Sequence, residues 1–335
     1  MKKIKIKITD FCEDQNNIGS VFYKFLSKKY EIDFSDNPDY VIYSVFGYDY
    51  LKYDCIRIFY TGEQVCPDFD IADYAIGFER MTFEDRYIRF PFFALGYSPE
   101  KLALVESEYQ RISFDKFNKR EFAVFTYSNS KATSSRDVFY HKLSRLKQVT
   151  SPGKHLNNTG FFIANKVEFE SKFKFSIAFE NTSYVGYSTE KILDSFAANT
   201  IPIYYGDETI EDDFHPESFI NLHKFNNFDE AIEYILTIEN DHERLQKMLN
   251  HKKFKDHVYL YQSQLLDFFD NIFGQELSQA KRRPDSNRSR EKVKKLKLLA
   301  LITSVKRIKL YRYMVKIVKQ AIFFKNRLLG KLKGQ

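Results

Sequence analysis

The chain has 335 residues, enough for two domains of ordinary size, and 43% of them are hydrophobic and 17% aromatic, which supports packed cores and excludes wholesale disorder. A net charge of +7 hides an asymmetry: residues 281–335 hold 19 basic and two acidic residues, whereas the other 280 hold 33 basic and 43 acidic. The acidic body is therefore no nucleic-acid binder, although its basic end could hold a polyanion.

Along the chain, MKKIKIKITD alternates lysine with Ile4, Ile6 and Ile8, which predicts a strand and offers no apolar core for a signal peptide. A helix is predicted over 18–29. Strands follow at YVIYSVFG (40–47), CIRIFYTGE (55–63), DYAIGFE (73–79) and RYIRFPFF (86–93), then a helix and connector over 98–120. Cys12, Cys55 and Cys66 form no CxxC pair, and so odd and sparse a set predicts reduced thiols in a cytosol.

The pattern restarts at 122. FAVFTYS reads as a buried strand and ATSSRDVFYHKLSRLKQV as a helix capped by Ser134 or Ser135, with Val138, Phe139, Leu143 and Leu146 on one side. SPGKHLNNTG is a loop, KFKFSIAF a strand alternating at Phe173, Phe175, Ile177 and Phe179, and 189–199 a helix with Ile192, Leu193, Phe196 and Ala197 on one stripe. TIPIYYG is the next strand, 226–238 a helix capped by Asn227 or Asp229, and 241–273 mostly helical. Strands alternating with helices predict doubly wound parallel sheets, and the restart predicts two such domains with a seam near 117–121. Ligands of such sheets sit beyond the carboxyl ends of strands, where the loops 61–66 and 180–191 fall.

KRRPDSNRSR reads as a polar linker into a basic segment. There Val293, Leu296, Leu299, Ala300, Val305, Ile308, Met314, Val315, Ile317, Val318, Ile322 and Phe323 recur at helical spacing. That pattern suits an anionic membrane surface, and it also suits a helix docked on the body or a disordered tail. Its longest apolar run, Leu298–Ile302, is five residues, too short to span a bilayer.

One stretch, FENTSYVGYSTEKILDSFAANTIPIYYG (179–206), gathers Asn181, Tyr187, Glu190 and Lys191 at a strand-to-helix turn. A helix N-terminus with Lys191 in its first turn favours phosphate. The carboxylate of Glu190 suits a ribose diol, and Tyr187 and Asn181 supply neutral hydrogen bonds. Phosphate with ribose points to a nucleotide, and without GxGxxG or a P-loop a nucleotide-sugar fits better. A capped helix with a polar first turn accounts for the same residues.

This stretch closely resembles the signature of the alpha-1,3-fucosyltransferase family, and residues 57–93 and 214–235 resemble its bacterial members. The resemblance covers about 57–275. It implies an α/β fold of the GT-B kind, two Rossmann-like domains facing a cleft, with a basic amphipathic helical tail. Residues 1–118 would bind the acceptor, 119–275 GDP-fucose, with the last helices able to cross back, and 276–335 would be the tail. The implied reaction is inverting transfer of L-fucose to the 3-OH of N-acetylglucosamine in N-acetyllactosamine-type glycans, giving Lewis-type structures. By the same resemblance Glu190 holds the ribose with Asn181, Lys191 and Tyr187 serve the diphosphate and fucose, and Glu63 of YTGE is the general base. Inversion is a single displacement in which the attacking hydroxyl must give its proton to a carboxylate.

Arg136 matches an arginine shared by the family, placed to reach phosphate or to cap a turn. Some bacterial members carry a diphosphate-binding arginine where this loop has Leu156, so Lys154 is expected to substitute, without the guanidinium fork. GDP leaves without a general acid if cations neutralise it, so no cofactor or metal is implied. DFD (68–70) has a metal-binding form but is a three-residue match, and His155, His215 and His223 show no ligand spacing. The implied partners are GDP-fucose, an oligosaccharide acceptor and, through 281–335, an anionic membrane surface, with no nucleic acid. The implied location is cytoplasmic, on the inner face of a bacterial membrane. Alternatives are another nucleotide-sugar, an alpha-1,4 linkage, a non-catalytic binding protein, or a membrane-tethering scaffold.

Overall fold

The computed structural model describes residues 1–12, 16–96, 99–107 and 112–307. Its strands fall into two sheets, one from each half of the chain, and the residues cluster into two compact units.

The first unit holds residues 1–60, 68–74 and those from 276 onward. Its strands are β1 (Lys2–Thr9), β2 (Tyr30–Phe34), β3 (Tyr40–Tyr43) and β4 (Ile56–Tyr60), with helix α1 (Asn16–Leu26) between the first two. They pair in parallel in the order β2-β1-β3-β4, with Lys2 opposite Tyr30, Ile6 opposite Tyr40 and Tyr40 opposite Ile56. Ile4 and Ile6 are buried and Lys3 and Lys5 exposed, as alternation requires, while Ile8 is half-buried. Every residue of β3 and β4 is buried, the continuous pattern of a parallel strand covered on both faces. The strand expected over 40–47 stops at Tyr43. Asp10, at φ 62°, accepts the N–H groups of Asp49 and Tyr50, each at 2.9 Å, and folds the segment after β3 into a 3-10 turn.

The second unit holds 61–67 and 75–275. It opens with β5 (Tyr74–Gly77), parallel to β6 (Tyr87–Arg89), and helices α2 (Phe92–Gly96), α3 (Pro99–Glu106) and α4 (Phe114–Asn118). Only three residues of the strand expected over 86–93 pair, and Phe92 and Phe93 begin α2. Then come β7 (Glu121–Val124), α5 (Ser134–Leu146), β8 (Val149–Thr150), α6 (Lys166–Glu170), β9 (Phe173–Phe179), α7 (Glu190–Ala197), β10 (Ile201–Tyr205), β11 (Ile220–Asn221), α8 (Phe228–Ile238), α9 (His242–Asn250) and α10 (Tyr261–Gly274). The sheet runs β11-β10-β9-β7-β8, all parallel. Its central strand β9 is buried at all seven residues rather than at alternate ones, because helices cover both faces.

Helix α5 corrects three expectations. Thr133, not Ser134 or Ser135, is its N-cap, and it makes no side-chain cap bond. The helix ends at Leu146, and Val149 opens a strand instead. Its buried face is Arg136, Phe139, Tyr140 and Leu143, whereas Val138 and Leu146 are exposed. Helix α8 keeps its expected cap: the Asn227 side chain accepts from the N–H groups of Asp229 and Glu230 at 3.0 Å.

The chain returns to the first unit through α11 (Leu277–Ala280) and α12 (Asn287–Arg307). The segment expected as a polar linker is pinned there. Buried Asp73 accepts the N–H groups of Arg282 and Arg283 at 2.7 and 2.8 Å and an ion pair from the Arg283 side chain. Lys281 pairs with Asp54 at 2.8 Å. In α12 Leu298, Leu299, Leu301 and Ile302 are exposed, and none of the described helices is long and apolar enough to cross a membrane. The basic segment beyond residue 307, with Ile308 to Phe323, lies outside the described residues.

Candidate active site

The site grows from the carboxyl end of β9, where the strand's last N–H pairing continues one residue further: Glu180 N–H donates to Tyr205 O at 2.8 Å. That extension buries Glu180 at the base of the loop 181–189. Its carboxylate accepts the Thr189 N–H at 2.8 Å, the Thr189 hydroxyl at 2.7 Å and the Lys191 ammonium at 2.8 Å. Thr189 is the N-cap of α7, and its hydroxyl is spent on Glu180 rather than on the helix amides. Gly186, at φ 81°, gives the loop its reversal. A Cβ there would stand 2.6 Å from Phe78 O. The Gly186 N–H donates to buried Asp207 at 2.7 Å.

Lys191 is thus a largely covered, compensated cation. Burial pulls its pKa down, but the charges of Glu180 and Glu190 outweigh that and leave it raised. The positive charge expected of Lys191 at this helix start is paired with the carboxylate of Glu180. Sequence reading missed Glu180 although it stands inside FEN, since its burial is decided by the β9–β10 register.

Glu63 follows β4 in a tight turn: its N–H donates to Thr61 Oγ1 at 2.9 Å and its carbonyl accepts from Val65 N–H at 2.7 Å. The turn is latched to the loop 181–189 by the Thr182 hydroxyl, which donates to Gln64 Oε1 at 2.6 Å, and by a 3.6 Å contact of Cys66 Sγ with Tyr184 Oη. Glu63 is half-buried, and its carboxylate carries no hydrogen bond among the described residues. The ring of Tyr187 is buried edge-on against Phe78. Burial raises its phenol pKa first, then the charge of Glu180, with Glu63 and Glu190 adding to the rise and Lys191 opposing it. Glu63, Tyr187, Glu190 and Lys191 therefore share one electrostatic neighbourhood.

Arg136 joins from α5. Fully buried, it lies 4.4 Å over the Tyr127 ring, donates to Asn129 O at 2.7 Å, and keeps Nη1 without a partner among the described residues. Tyr127 connects it to the rest: burial pushes that phenol up to about 12, and the charges of Lys191, Lys166 and Arg136 pull against the rise. Asn181 is half-buried, and its carbonyl accepts the Thr133 N–H at 3.0 Å, which brings the loop before α5 alongside.

The loop 151–160 is held against Tyr127. The His155 N–H donates to Tyr127 O at 2.9 Å, and a Cβ on Gly153 would strike that same oxygen at 2.1 Å. His155 Nε2 lies 2.9 Å from both oxygens of Asp137. Lys154 stands exposed, with no hydrogen bond or ion pair among the described residues, so none ties it to the cluster. Leu156 takes the left-handed region at φ 53° and packs its side chain on the core. As for DFD, the Lys292 ammonium sits between its two carboxylates, 2.5 Å from Asp68 and 3.2 Å from Asp70.

Residues 6–96 match the model of the alpha-(1,3)-fucosyltransferase FucT N-terminal domain, and 116–296 that of the glycosyltransferase family 10 (fucosyltransferase) C-terminal part. Alpha-(1,3)-fucosyltransferase FucT of Helicobacter pylori is 38% identical over 252 residues, 65% of this chain and 52% of that protein, so the chain spans about half the length of this relative. A crystal structure of an alpha1,3-fucosyltransferase with GDP-fucose matches at 31% identity and a TM-score of 0.70, over 82% of this chain and 92% of that one. At 9% identity, Anabaena Alr3699/HepE in complex with UDP and glucose shares the fold alone, with a TM-score of 0.50 over 81% of this chain and all of that one. The two parallel sheets are thus of the GT-B-like kind. The chain belongs to glycosyltransferase family 10, the fucosyltransferases.

Proposed function

We infer that this chain transfers L-fucose from GDP-fucose to the 3-OH of N-acetylglucosamine in N-acetyllactosamine-type glycans, with inversion, to give Lewis-type structures. One observation carries the reading: a carboxylate with no hydrogen bond among the described residues, Glu63, is latched through Gln64 and Thr182 to the loop that presents Tyr187, Glu190 and Lys191.

In this reading Glu63 takes the proton of the attacking hydroxyl as the new bond forms, a task worth about 10²–10⁴ in rate. Glu190 holds the ribose diol with Asn181, and Tyr187 fixes the fucose and diphosphate. Charge on the departing GDP is met by Lys191, paired with Glu180, by Arg136, paired with Asp137 at 3.3 Å but with Nη1 uncommitted among the described residues, and by Lys154 swinging in from its loop. No metal takes part in the transfer. Residues 1–118 serve the acceptor and 119–275 the donor. The exposed leucines and lysines of α12, with the chain beyond it, lie on an anionic bacterial membrane from the cytoplasmic side, where lipid-linked acceptors are displayed.

The test is product analysis. Full-length protein is given GDP-fucose and N-acetyllactosamine with EDTA, and the product's linkage and anomeric configuration are read by NMR. An alpha-1,3-fucosylated N-acetylglucosamine supports the reading. Fucose on the 4-OH, or transfer from a different nucleotide-sugar only, contradicts it.

A further inference from the structure

Beyond the transfer site, His215, Glu217 and His251 bring one possible ligand atom each to within 4.8 Å of one another. We propose that these three side chains bind a zinc-class divalent cation, in a site independent of the sugar-transfer residues. Nε2 of His251 lies 3.9 Å from a Glu217 oxygen, and the two imidazole centroids are 5.4 Å apart. Zinc takes nitrogen and oxygen ligands at about 2.0–2.2 Å, which sets tetrahedral neighbours about 3.4 Å apart. Small side-chain rotations close that difference.

The frame around the three is built. His215 and Glu217 flank and occupy the turn Pro216–Ser218, closed by the Ser218 N–H and hydroxyl on His215 O at 3.0 and 2.7 Å. His251 closes α9, donating its N–H to Lys247 O at 2.9 Å. The two segments are already tied together. The His215 N–H donates to Lys253 O at 2.9 Å, the Lys255 N–H to Asp213 O at 3.0 Å, and the fully buried Phe214 and Phe254 form an antiparallel bridge. The ligands therefore stand on a fixed scaffold although 34 residues separate Glu217 from His251.

The orientation of one ring also suits a metal. His251 Nδ1 lies 2.9 Å from Lys252 O, and a carbonyl only accepts, so that nitrogen carries a hydrogen and, in the neutral ring, Nε2 is the nitrogen free to bind a metal on the side of Glu217. An imidazole oriented by its far N–H on a carbonyl is what metal-bound histidines use. Lys252 is itself paired with Asp256, which softens the repulsion a cation would meet. Two imidazoles with one carboxylate select zinc-like ions over magnesium or calcium, which prefer oxygen alone. The exposed side leaves a fourth position for water. The ion would clip the 215–218 turn to the end of α9 and take no part in the transfer.

Full-length protein, stripped with chelator and dialysed, is titrated with Zn²⁺ and with Mg²⁺ by calorimetry and by thermal unfolding. One zinc per chain, a raised melting temperature, and no magnesium effect are expected. His251→Ala and His215→Ala should weaken zinc at least tenfold, while their metal-free melting matches wild type. Glu217→Gln, at an exposed carboxylate, serves as a third variant if either alanine form misfolds. Co²⁺ should give the visible bands of a four- or five-coordinate nitrogen–oxygen site in wild type only. Unchanged zinc affinity in the variants would assign the ion elsewhere, for instance to exposed Cys66, and overturn the proposal. So would no zinc binding at all.

Discussion

The Lys191 ammonium and the Glu180 carboxylate lie 2.8 Å apart at the start of α7, both largely removed from solvent. A helix start that carries a lysine and also a buried acid below it has little net charge to offer a phosphate. Breaking either half leaves the other charge buried and unpaired, at about 3–5 kcal/mol. Lys191→Met should therefore lower stability as well as transfer, and its activity loss cannot be read as a lost donor contact alone. The double variant Glu180→Gln with Lys191→Met should recover most of the stability and little of the activity. Chemical denaturation of the two variants and wild type, beside GDP-fucose titration, separates the effects. A double variant no more stable than Lys191→Met would contradict the pairing account.

The proposed function gives the departing diphosphate one buried cation, Arg136, and one exposed cation, Lys154. Lys154→Ala should leave the melting temperature unchanged and weaken GDP-fucose about tenfold, about 1.4 kcal/mol. Arg136→Lys should do more, since an ammonium lacks both the stack on Tyr127 and the fork that reaches Asn129 O. It should lose stability and donor affinity together. Calorimetry on both variants checks this, and an unchanged affinity in Lys154→Ala removes that residue from the site.

The basic end should divide at a definite point. Truncation at residue 281 strips Asp73 of the Arg283 ion pair and two backbone donors, and it should destabilise the first unit by about 3–5 kcal/mol. Truncation after Arg307 should leave melting unchanged and reduce sedimentation with anionic vesicles. Equal melting temperatures for the two truncations would show that the 281–283 contacts hold nothing.

Asp213 sets an acid limit. Fully buried, it meets Arg89 at 2.6 Å, Arg80 at 3.1 Å, His257 at 3.0 Å and the Tyr261 hydroxyl at 2.7 Å. Burial alone would raise its carboxyl, but the His257 hydrogen bond and the charges of Arg89 and Arg80 prevail and hold it well below the usual carboxylate range. A depressed folded value gives stabilisation that is complete above the unfolded value near 3.8 and is lost as pH falls through the folded one. Urea unfolding should show stability dropping from about pH 4 downward, with Asp213→Asn less stable at neutral pH and flatter in that window. The same acid slope in both would contradict the assignment.

Much of this was legible in the sequence, and what was not has physical causes. Strand β9, the helix that follows and the cap Asn227 declare themselves through local apolar runs and capping chemistry. The two-residue β8 has no periodicity to read. The buried face of α5 was misjudged because Arg136 occupies a core position that its charge conceals, stacked on Tyr127. Glu63, Tyr187, Glu190 and Lys191 stood out by type and motif. That Glu180 cancels Lys191, that Asp73 captures Arg283, and that His251 meets His215 are all matters of tertiary contact. Partners 11, 210 and 36 residues apart leave no spacing to recognise.

Glu63→Gln decides whether Glu63 is the general base, because the carboxylate supports no hydrogen bond among the described residues whose loss could unfold the turn. Acceptor-dependent GDP release and GDP-fucose affinity are measured on the variant beside wild type, both in EDTA. As a general base, Glu63 should cost kcat at least about 10² when replaced, while donor affinity and melting temperature stay unchanged. Turnover within a few fold of wild type would contradict it and return Glu63 to an ordinary turn carboxylate.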